Sequence, residues 1–211
     1  MLGVVLAGAV QPGLAAESGN WIVRGRAIHV TPNDRSSEVT TLAGSGVGVG
    51  DDTTAELDIT YMLRPNWGLE LILGTTHHDL TGKGTIANLN KIGDTALLPP
   101  TLTLQYHFAP QAKVRPYAGI GVNYSKFYNE KSTNSLDTAL GGPTSIDLDD
   151  SWGLAAQAGV DLGLKNDWFV NFDLKYVNIE TQGTLVTGAT TRTVDVDINP
   201  WIFGIGIGKR F

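Results

Sequence analysis

Residues 152–164, with the sequence WGLAAQAGVDLGL, alternate between two kinds of side chain. Every second position, beginning at Trp152, is apolar, and the positions between are glycine, alanine, glutamine or aspartate. Because successive side chains of a β-strand point to opposite faces, this pattern predicts a strand with one apolar face and one polar or small face. A helix would instead repeat its apolar residues every three or four positions.

The same alternation recurs along the chain. Four further segments carry it clearly, at residues 55–61, 67–74, 101–108 and 168–176. Three weaker segments complete a set of eight, at residues 20–31, 113–128 and 191–211. Short connections at 63–66, 109–112 and 165–167 alternate with long Gly/Ser/Thr/Asp-rich segments near 32–50, 79–95, 130–147 and 182–190. This predicts an all-β fold, an eight-stranded antiparallel transmembrane β-barrel with short periplasmic turns and four longer extracellular loops.

Composition agrees with an outer surface that faces lipid. Only 17% of the 211 residues are charged, against about 25% in ordinary soluble domains. The net charge of −6 and the lack of a long basic run argue against a nucleic-acid partner. The chain has no cysteine, which excludes disulfides and thiolate metal sites. A soluble barrel or sandwich is the alternative, but its interior would have to hold the leucine, tryptophan and phenylalanine side chains of five strands.

The N-terminal residues 1–16 are apolar, uncharged and end in small residues, which predicts a signal peptide for export. The positively charged start of such signals is missing, which indicates a truncated or misassigned start. A buried N-terminal strand or helix is the alternative. Residues 17–211 are then the barrel domain. Beyond residue 16, no run approaches the roughly 18 to 20 apolar residues that a spanning helix needs.

Several short motifs carry a family resemblance. They are LPPTL at 98–102, KVRPYAGIGVNY at 113–124, DSWG at 150–153 and NPW at 199–201, with Phe211 as the last residue. In this order, from about residue 19 to 211, the chain resembles the OmpW family of outer-membrane β-barrel proteins. The resemblance implies a location in the Gram-negative outer membrane, periplasmic termini, and passage of small hydrophobic molecules inward. Some members are proposed to release their substrate sideways into the outer-membrane lipid. Phe211 resembles the C-terminal signal that the outer-membrane assembly machinery reads.

Inward positions of the predicted strands change character with depth. Near the short turns they are charged and are expected to form an ionic plug: Arg24, Arg26, Asp58, Glu70, Arg115, Asp161, Asp173 and Arg210. Toward the long loops they are apolar or small. The predicted channel lining and constriction consists of Ile72, Gly74, Pro99, Ile179, Ile202 and Lys175. Ile72 aligns with an inward position that narrows the channel in related proteins, and Lys175 stands where the family can carry tryptophan.

Two of these features leave alternatives open. Lys175 makes the constriction more polar and favours a substrate with a polar end, or it simply pairs with Asp173 or a neighbouring carboxylate as part of the plug. Pro99 and Pro100 lack N–H donors, which predicts a gap in the strand ladder and a lateral gate. The alternative is that these prolines sit at a strand edge or a bulge without any gate.

The sequence therefore predicts an outer-membrane channel for passive uptake of small hydrophobic or amphiphilic molecules. The alternative is a structural or interaction barrel whose extracellular loops serve as a receptor for an external protein or phage. No enzyme activity, cofactor or metal is expected. His77 and His78 are the densest imidazole pair, but successive residues on a strand point to opposite faces and do not easily share one ion.

Overall fold

The computed structural model describes residues 20–211, so the predicted signal peptide at 1–16 lies outside the described residues. The strands of the first half of the chain are β1 (Trp21–Thr31), β2 (Arg35–Ser36), β3 (Ser45–Val49), β4 (Asp52–Arg64), β5 (Trp67–Gly74), β6 (Thr76–Gly84), β7 (Lys91–Leu98) and β8 (Thr101–His107). Those of the second half are β9 (Val114–Ser132), β10 (Thr144–Leu148), β11 (Ser151–Gly163), β12 (Trp168–Val177), β13 (Glu180–Thr187), β14 (Thr190–Asp197) and β15 (Trp201–Arg210). A 3-10 helix (Ala87–Leu89) and α1 (Asn134–Leu140) lie in the connections.

These strands join into eight spanning segments that close a barrel. The segments are β1 with β2, β3 with β4, β5 with β6, β7 with β8, β9 alone, β10 with β11, β12 with β13, and β14 with β15. Closure comes from β1, which pairs antiparallel with both β4 and β15. A closed barrel leaves no open edge of unpaired backbone groups in lipid. The predicted eight-stranded antiparallel barrel is confirmed.

The connections at the extracellular end differ from the sequence-based expectation. Residues 79–95 and 182–190 were expected as loops, but most of them belong to β6, β7, β13 and β14. Threonine and valine are frequent in the second of these segments, and both favour extended backbone. The Gly/Ser/Thr/Asp-rich composition therefore indicated loops where the barrel wall in fact continues, with a tight turn at Gly188 (φ +57°).

The two faces of the wall separate as the alternation predicts. Trp152 and Leu154 point outward and are 74% and 70% exposed. Aromatic pairs mark two levels on the outer surface: Trp21–Tyr61 and Trp67–Tyr106 near the short turns, and Tyr124–Trp152 and Tyr176–Trp201 farther along the strands. Such rings collect where the hydrocarbon region meets the headgroups. Among residues 20–211, no helix is long and apolar enough to cross a bilayer.

Candidate functional site

The periplasmic half of the interior is filled by ion pairs. Arg24 contacts Glu70 through Nη1–Oε1 at 3.2 Å and Asp161 through Nη2–Oδ2 at 3.0 Å. All three side chains are fully buried. They come from β1, β5 and β11, and Arg24 and Asp161 stand 137 residues apart in the chain. Barrel closure therefore brings together charges that the sequence keeps far apart.

Arg26 and Lys175 extend these ion pairs upward. Arg26 Nη1 lies 2.9 Å from Glu56 Oε1, 3.1 Å from Asp58 Oδ2 and 3.4 Å from Asp173 Oδ1. Lys175 Nζ pairs with Glu56 and lies 3.3 Å from Asp173 Oδ1. In the structure, the ionic plug is the set Arg24, Arg26, Glu56, Asp58, Glu70, Asp161, Asp173 and Lys175. The plug fills the lower interior with charges that are paired and removed from water.

Neutral side chains complete the plug. Gln105 and Gln157 each donate through Nε2 to Glu70 Oε2, at 2.7 and 2.6 Å, and Tyr117 donates to Asp173 Oδ2 at 2.7 Å. A Cβ at Gly159 would lie 2.3 Å from the Tyr117 hydroxyl oxygen, so the glycine makes room for this ring. These groups and Glu56 were not among the predicted members of the plug. The alternation does place them on the inward face of their strands, the same face as the predicted charged residues.

Two predicted members of the plug lie apart from its ion pairs. Among the described residues, neither Arg115 nor Arg210 has a carboxylate oxygen within 4 Å. The Arg115 guanidinium lies 5.1 Å from the centroid of the Phe169 ring, and Arg210 Nη1 donates to the Pro110 carbonyl at 3.2 Å. Arg115 does face Asp161 in the strand register, but Arg24 already contacts both oxygens of that carboxylate.

Above the plug the interior is an apolar cup with two cavities. The lower cavity has a volume of about 30 Å³, enough for one or two water molecules. All six residues of the predicted lining and constriction border it: Ile72, Gly74, Pro99, Lys175, Ile179 and Ile202. Further apolar residues complete its walls: Ile28, Val30, Leu97, Val177 and Pro200. Glu56, Thr76 and Thr101 are its polar members. Lys175 therefore belongs to the plug and to the cavity at once.

The upper cavity also has a volume of about 30 Å³ and is bordered mainly by valine, leucine and isoleucine. His78 is its imidazole. Nδ1 lies 2.7 Å from the Gly50 carbonyl oxygen, and Nε2 lies 2.9 Å from Thr76 Oγ1. Burial in this extracellular part of the barrel lowers the pKa of His78, because the charged imidazolium loses water there. At neutral pH the cup therefore carries a neutral imidazole.

The hydrogen-bond ladder of the barrel wall is interrupted at the level of the lower cavity, and we call this interruption the gap. The ladder between β5 and β8 ends at Ile72 opposite Thr101, and the ladder between β6 and β7 begins at Thr76 opposite Leu97. Residues 73–75 and 98–100 face each other between these ladders without pairing. Two of the three residues on one side are prolines, which have no N–H to donate.

The two prolines stay attached on their other side. Tyr124 N donates to the Pro100 carbonyl at 3.1 Å, and Asn123 Nδ2 donates to the Pro99 carbonyl at 3.1 Å. The fourth spanning segment therefore stays attached to the fifth at the level of the gap. Pro99 borders both the gap and the lower cavity, and Gly74 does so from the opposite lip.

The regular ladder between the third spanning segment and the second is also broken. The ladder between β4 and β5 ends at Glu56 opposite Gly74, and that between β3 and β6 begins at Val49 opposite Leu80. In between, Gly50 N donates to the Asp79 carbonyl at 2.9 Å, and His77 N donates to the Asp52 carboxylate at 2.9 Å. The regular ladder is thus broken on both sides of residue 75, although hydrogen bonds still join the third segment to the second.

A tyrosine bridges the gap on the outer surface. Tyr128 of β9 faces outward, since its neighbour Phe127 borders the upper cavity. Its hydroxyl lies 2.6 Å from Thr75 Oγ1, so the side chain reaches across the fourth segment to the third. Ala96 lies opposite Tyr128 in the register and is buried. We call the Tyr128–Thr75 contact the strap; no sequence pattern indicated it.

Comparison with known proteins now settles the family. Residues 17–211 match the family model of the OmpW family. The chain belongs to the OmpW family. Outer membrane protein W of Vibrio cholerae serotype O1 is 39% identical over 213 residues, which cover 100% of this chain and 97% of that protein. The crystal structure of the outer membrane protein OprG from Pseudomonas aeruginosa superposes with a TM-score of 0.84 at 35% identity, covering 92% of this chain and 96% of that one.

A further relative has a name that bears on chemistry. The dibenzothiophene metabolism operon protein PahQ of Pseudomonas aeruginosa is 28% identical, over 80% of this chain and 76% of that protein. Together, the relatives and the lipid-facing outer surface place this chain in the Gram-negative outer membrane as a transmembrane β-barrel.

Proposed function

We propose that this barrel is a channel for passive uptake of small hydrophobic or amphiphilic molecules, which enter from the extracellular end and leave sideways into the membrane. One observation carries the proposal: an apolar cup ends on a filled ionic plug and lies beside a gap in the wall. The name of PahQ supports it, because dibenzothiophene is an apolar aromatic molecule.

The plug makes the straight route unfavourable. A hydrophobic molecule that continued downward would have to separate buried ion pairs, and an unpaired buried charge costs several kcal/mol. The gap requires no such separation, since residues 73–75 and 98–100 share no ladder hydrogen bonds. The lateral gate is then formed by Pro99, Pro100 and the opposite lip, and the strap closes it from outside.

Uptake by whole cells tests this function. The chain is expressed in a Gram-negative strain that lacks its own OmpW-family proteins, and entry of a radiolabelled alkane is compared with entry of a small sugar. We expect faster alkane entry than in cells with an empty vector, and unchanged sugar entry. Equal acceleration of both compounds would contradict the uptake function and leave the receptor function as the better account.

The gate is tested separately with Pro99→Ala/Pro100→Ala. Alanine restores two N–H donors: the one at position 99 points across the gap, and the one at position 100 points toward Tyr124, whose N–H already donates to the carbonyl of residue 100. We therefore expect the ladder to close at residue 99 and alkane entry to fall several-fold. Pro116→Ala is the matched control, because Pro116 faces Val160 within the continuous ladder of β9 and β11. A folded double variant with normal uptake would refute the gate but not the channel.

The C-terminal residue fits recognition by the outer-membrane assembly machinery, which we also propose. Phe211 is exposed, and its N–H donates to the Trp21 carbonyl at 2.8 Å. Lys209 interrupts the apolar face near the end, and its Nζ lies 5.0 Å from the Phe211 ring centroid. The long lysine side chain can reach the interface while its stem stays apolar.

A further inference from the structure

The floor of the lower cavity is formed by two charged side chains beneath walls that are mainly apolar. Glu56 and Lys175 pair with each other, and their side chains are 4% and 3% exposed. Both belong to the plug and also border the cavity. A molecule whose end enters the cavity therefore meets hydrocarbon on its sides and an ion pair at its tip.

This ion pair keeps unused hydrogen-bonding capacity. Glu56 Oε1 accepts from Arg26 Nη1 at 2.9 Å and from Lys175 Nζ, whereas no described residue donates to Oε2. Lys175 Nζ contacts Asp173 Oδ1 at 3.3 Å, but that oxygen accepts no hydrogen bond among the described residues. An ammonium has three N–H groups and a carboxylate has two acceptor oxygens. The floor thus offers a donor and an acceptor side by side.

We propose that this floor binds the hydroxyl end of an apolar molecule, such as a long-chain alcohol. A hydroxyl donates one hydrogen bond and accepts others, so it satisfies Glu56 Oε2 and a free N–H of Lys175 together. Hydrogen bonds to charged groups are stronger than those between neutral groups. The proposal rests on the proposed uptake function and names its substrate class.

The charge of the plug selects against ionised ends. The plug contains five carboxylates and three cations, so a fatty acid would add a further negative charge next to Glu56. An alkylammonium would place its charge beside Lys175. In either case the ion would also lose its water in an apolar cavity, which is costly. A neutral hydroxyl avoids both costs.

Uptake of three compounds with the same chain length tests the proposal: radiolabelled 1-dodecanol, dodecane and dodecanoate. Each rate is expressed relative to cells without the chain. The variant is Lys175→Met/Glu56→Leu, which removes one charge of each sign. The control is Lys91→Met/Asp79→Leu, an exposed ion pair with Nζ–Oδ1 at 2.6 Å. The heat-dependent gel mobility of folded barrels establishes that each variant has folded.

We expect the wild-type chain to increase the uptake rate most for 1-dodecanol. In the floor variant, the ratio of dodecanol to dodecane uptake should fall about tenfold, equivalent to about 1.4 kcal/mol. The control should keep the wild-type ratio. An unchanged ratio in the folded floor variant, or the largest acceleration for dodecanoate, would overturn the floor site. No acceleration of any compound by the wild type would instead contradict the proposed function.

A measurement on the wild-type protein does not depend on any variant folding. The protein is reconstituted in lipid nanodiscs with 1-dodecanol labelled with ¹³C at the hydroxyl-bearing carbon. We expect magnetisation transfer between that carbon and the Lys175 side chain. Contacts of the labelled carbon confined to the upper cavity, at Val47 or Leu80, would overturn the proposal.

Discussion

The two halves of the barrel interior share one fold and differ in chemistry. In the periplasmic half, inward positions are charged and their side chains fill the space, as with Arg24 between Glu70 and Asp161. In the extracellular half, inward positions such as Val177 and Ile179 are apolar and leave cavities. The alternation of the strands is the same in both. The alternation along each strand therefore decides which side chains face inward. The position of a residue along the barrel axis decides whether the interior there is filled with charges or lined by apolar side chains.

The largest expected effect comes from breaking the charged half. Arg24→Met leaves Glu70 and Asp161 buried without this cation, and breaking a buried pair in this way costs about 3–5 kcal/mol. Urea unfolding in lipid vesicles measures the loss. Lys91→Met removes a lysine from an exposed pair and should change the free energy of unfolding by less than about 1 kcal/mol. Equal losses in the two variants would contradict a plug held by buried charges.

A moderate effect is expected where the apolar half opens through the wall. Tyr128→Phe removes the strap hydroxyl, and a hydrogen bond worth about 1 kcal/mol corresponds to roughly a fivefold shift toward the open gap. Apolar uptake should rise by up to that factor. Tyr124→Phe is the matched control: its hydroxyl bonds to Asp150, and Tyr124 faces Trp152 in a continuous ladder. A similar rise in both variants would show that the strap has no special role.

The smallest effect tests whether the apolar half disfavours charge. Burial keeps the pKa of His78 below its ordinary value of 6.5. As the pH falls below that value, the unfolded chain takes up the proton before the folded protein does, so acidification lowers the free energy of unfolding. Between about pH 7.5 and about pH 5, the wild type should lose more stability than His78→Gln. Parallel pH profiles would contradict a desolvated imidazole.

The sequence predicts the wall better than the interior contacts. Alternation at residues such as Trp152 and Leu154 decides their outward orientation, because strand geometry alone determines it. The contacts of the plug depend on competition between distant segments. Arg115 faces Asp161, yet Arg24 contacts that carboxylate, and one sequence offers no way to rank the two.

The gap shows the same limit. Pro99 and Pro100 signal missing donors, since proline lacks an N–H in any context. The opposite lip at residues 73–75, the second interruption beside β4 and the strap from Tyr128 follow from register across three or more segments. The role of Lys175 also needed coordinates, because the plug and the cavity meet at this one side chain.

A reversible lock across the gap tests the central claim most directly. The chain has no cysteine, so Thr75→Cys/Leu98→Cys introduces the only pair, on the outer lips of the gap. The control is His77→Cys/Ala96→Cys, one step away where β6 and β7 already pair. Continuing the β6–β7 register places residue 75 opposite residue 98, and opposed Cα atoms of antiparallel strands lie about 4.5–5.5 Å apart, which a disulfide can span.

Uptake of an alkane is measured in the same cells before and after reduction. If molecules leave through the wall, oxidation should stop uptake in the gap pair, reduction should restore it, and the control should respond to neither. Full uptake through an oxidised gap pair would contradict lateral release and would require a path through the ionic plug.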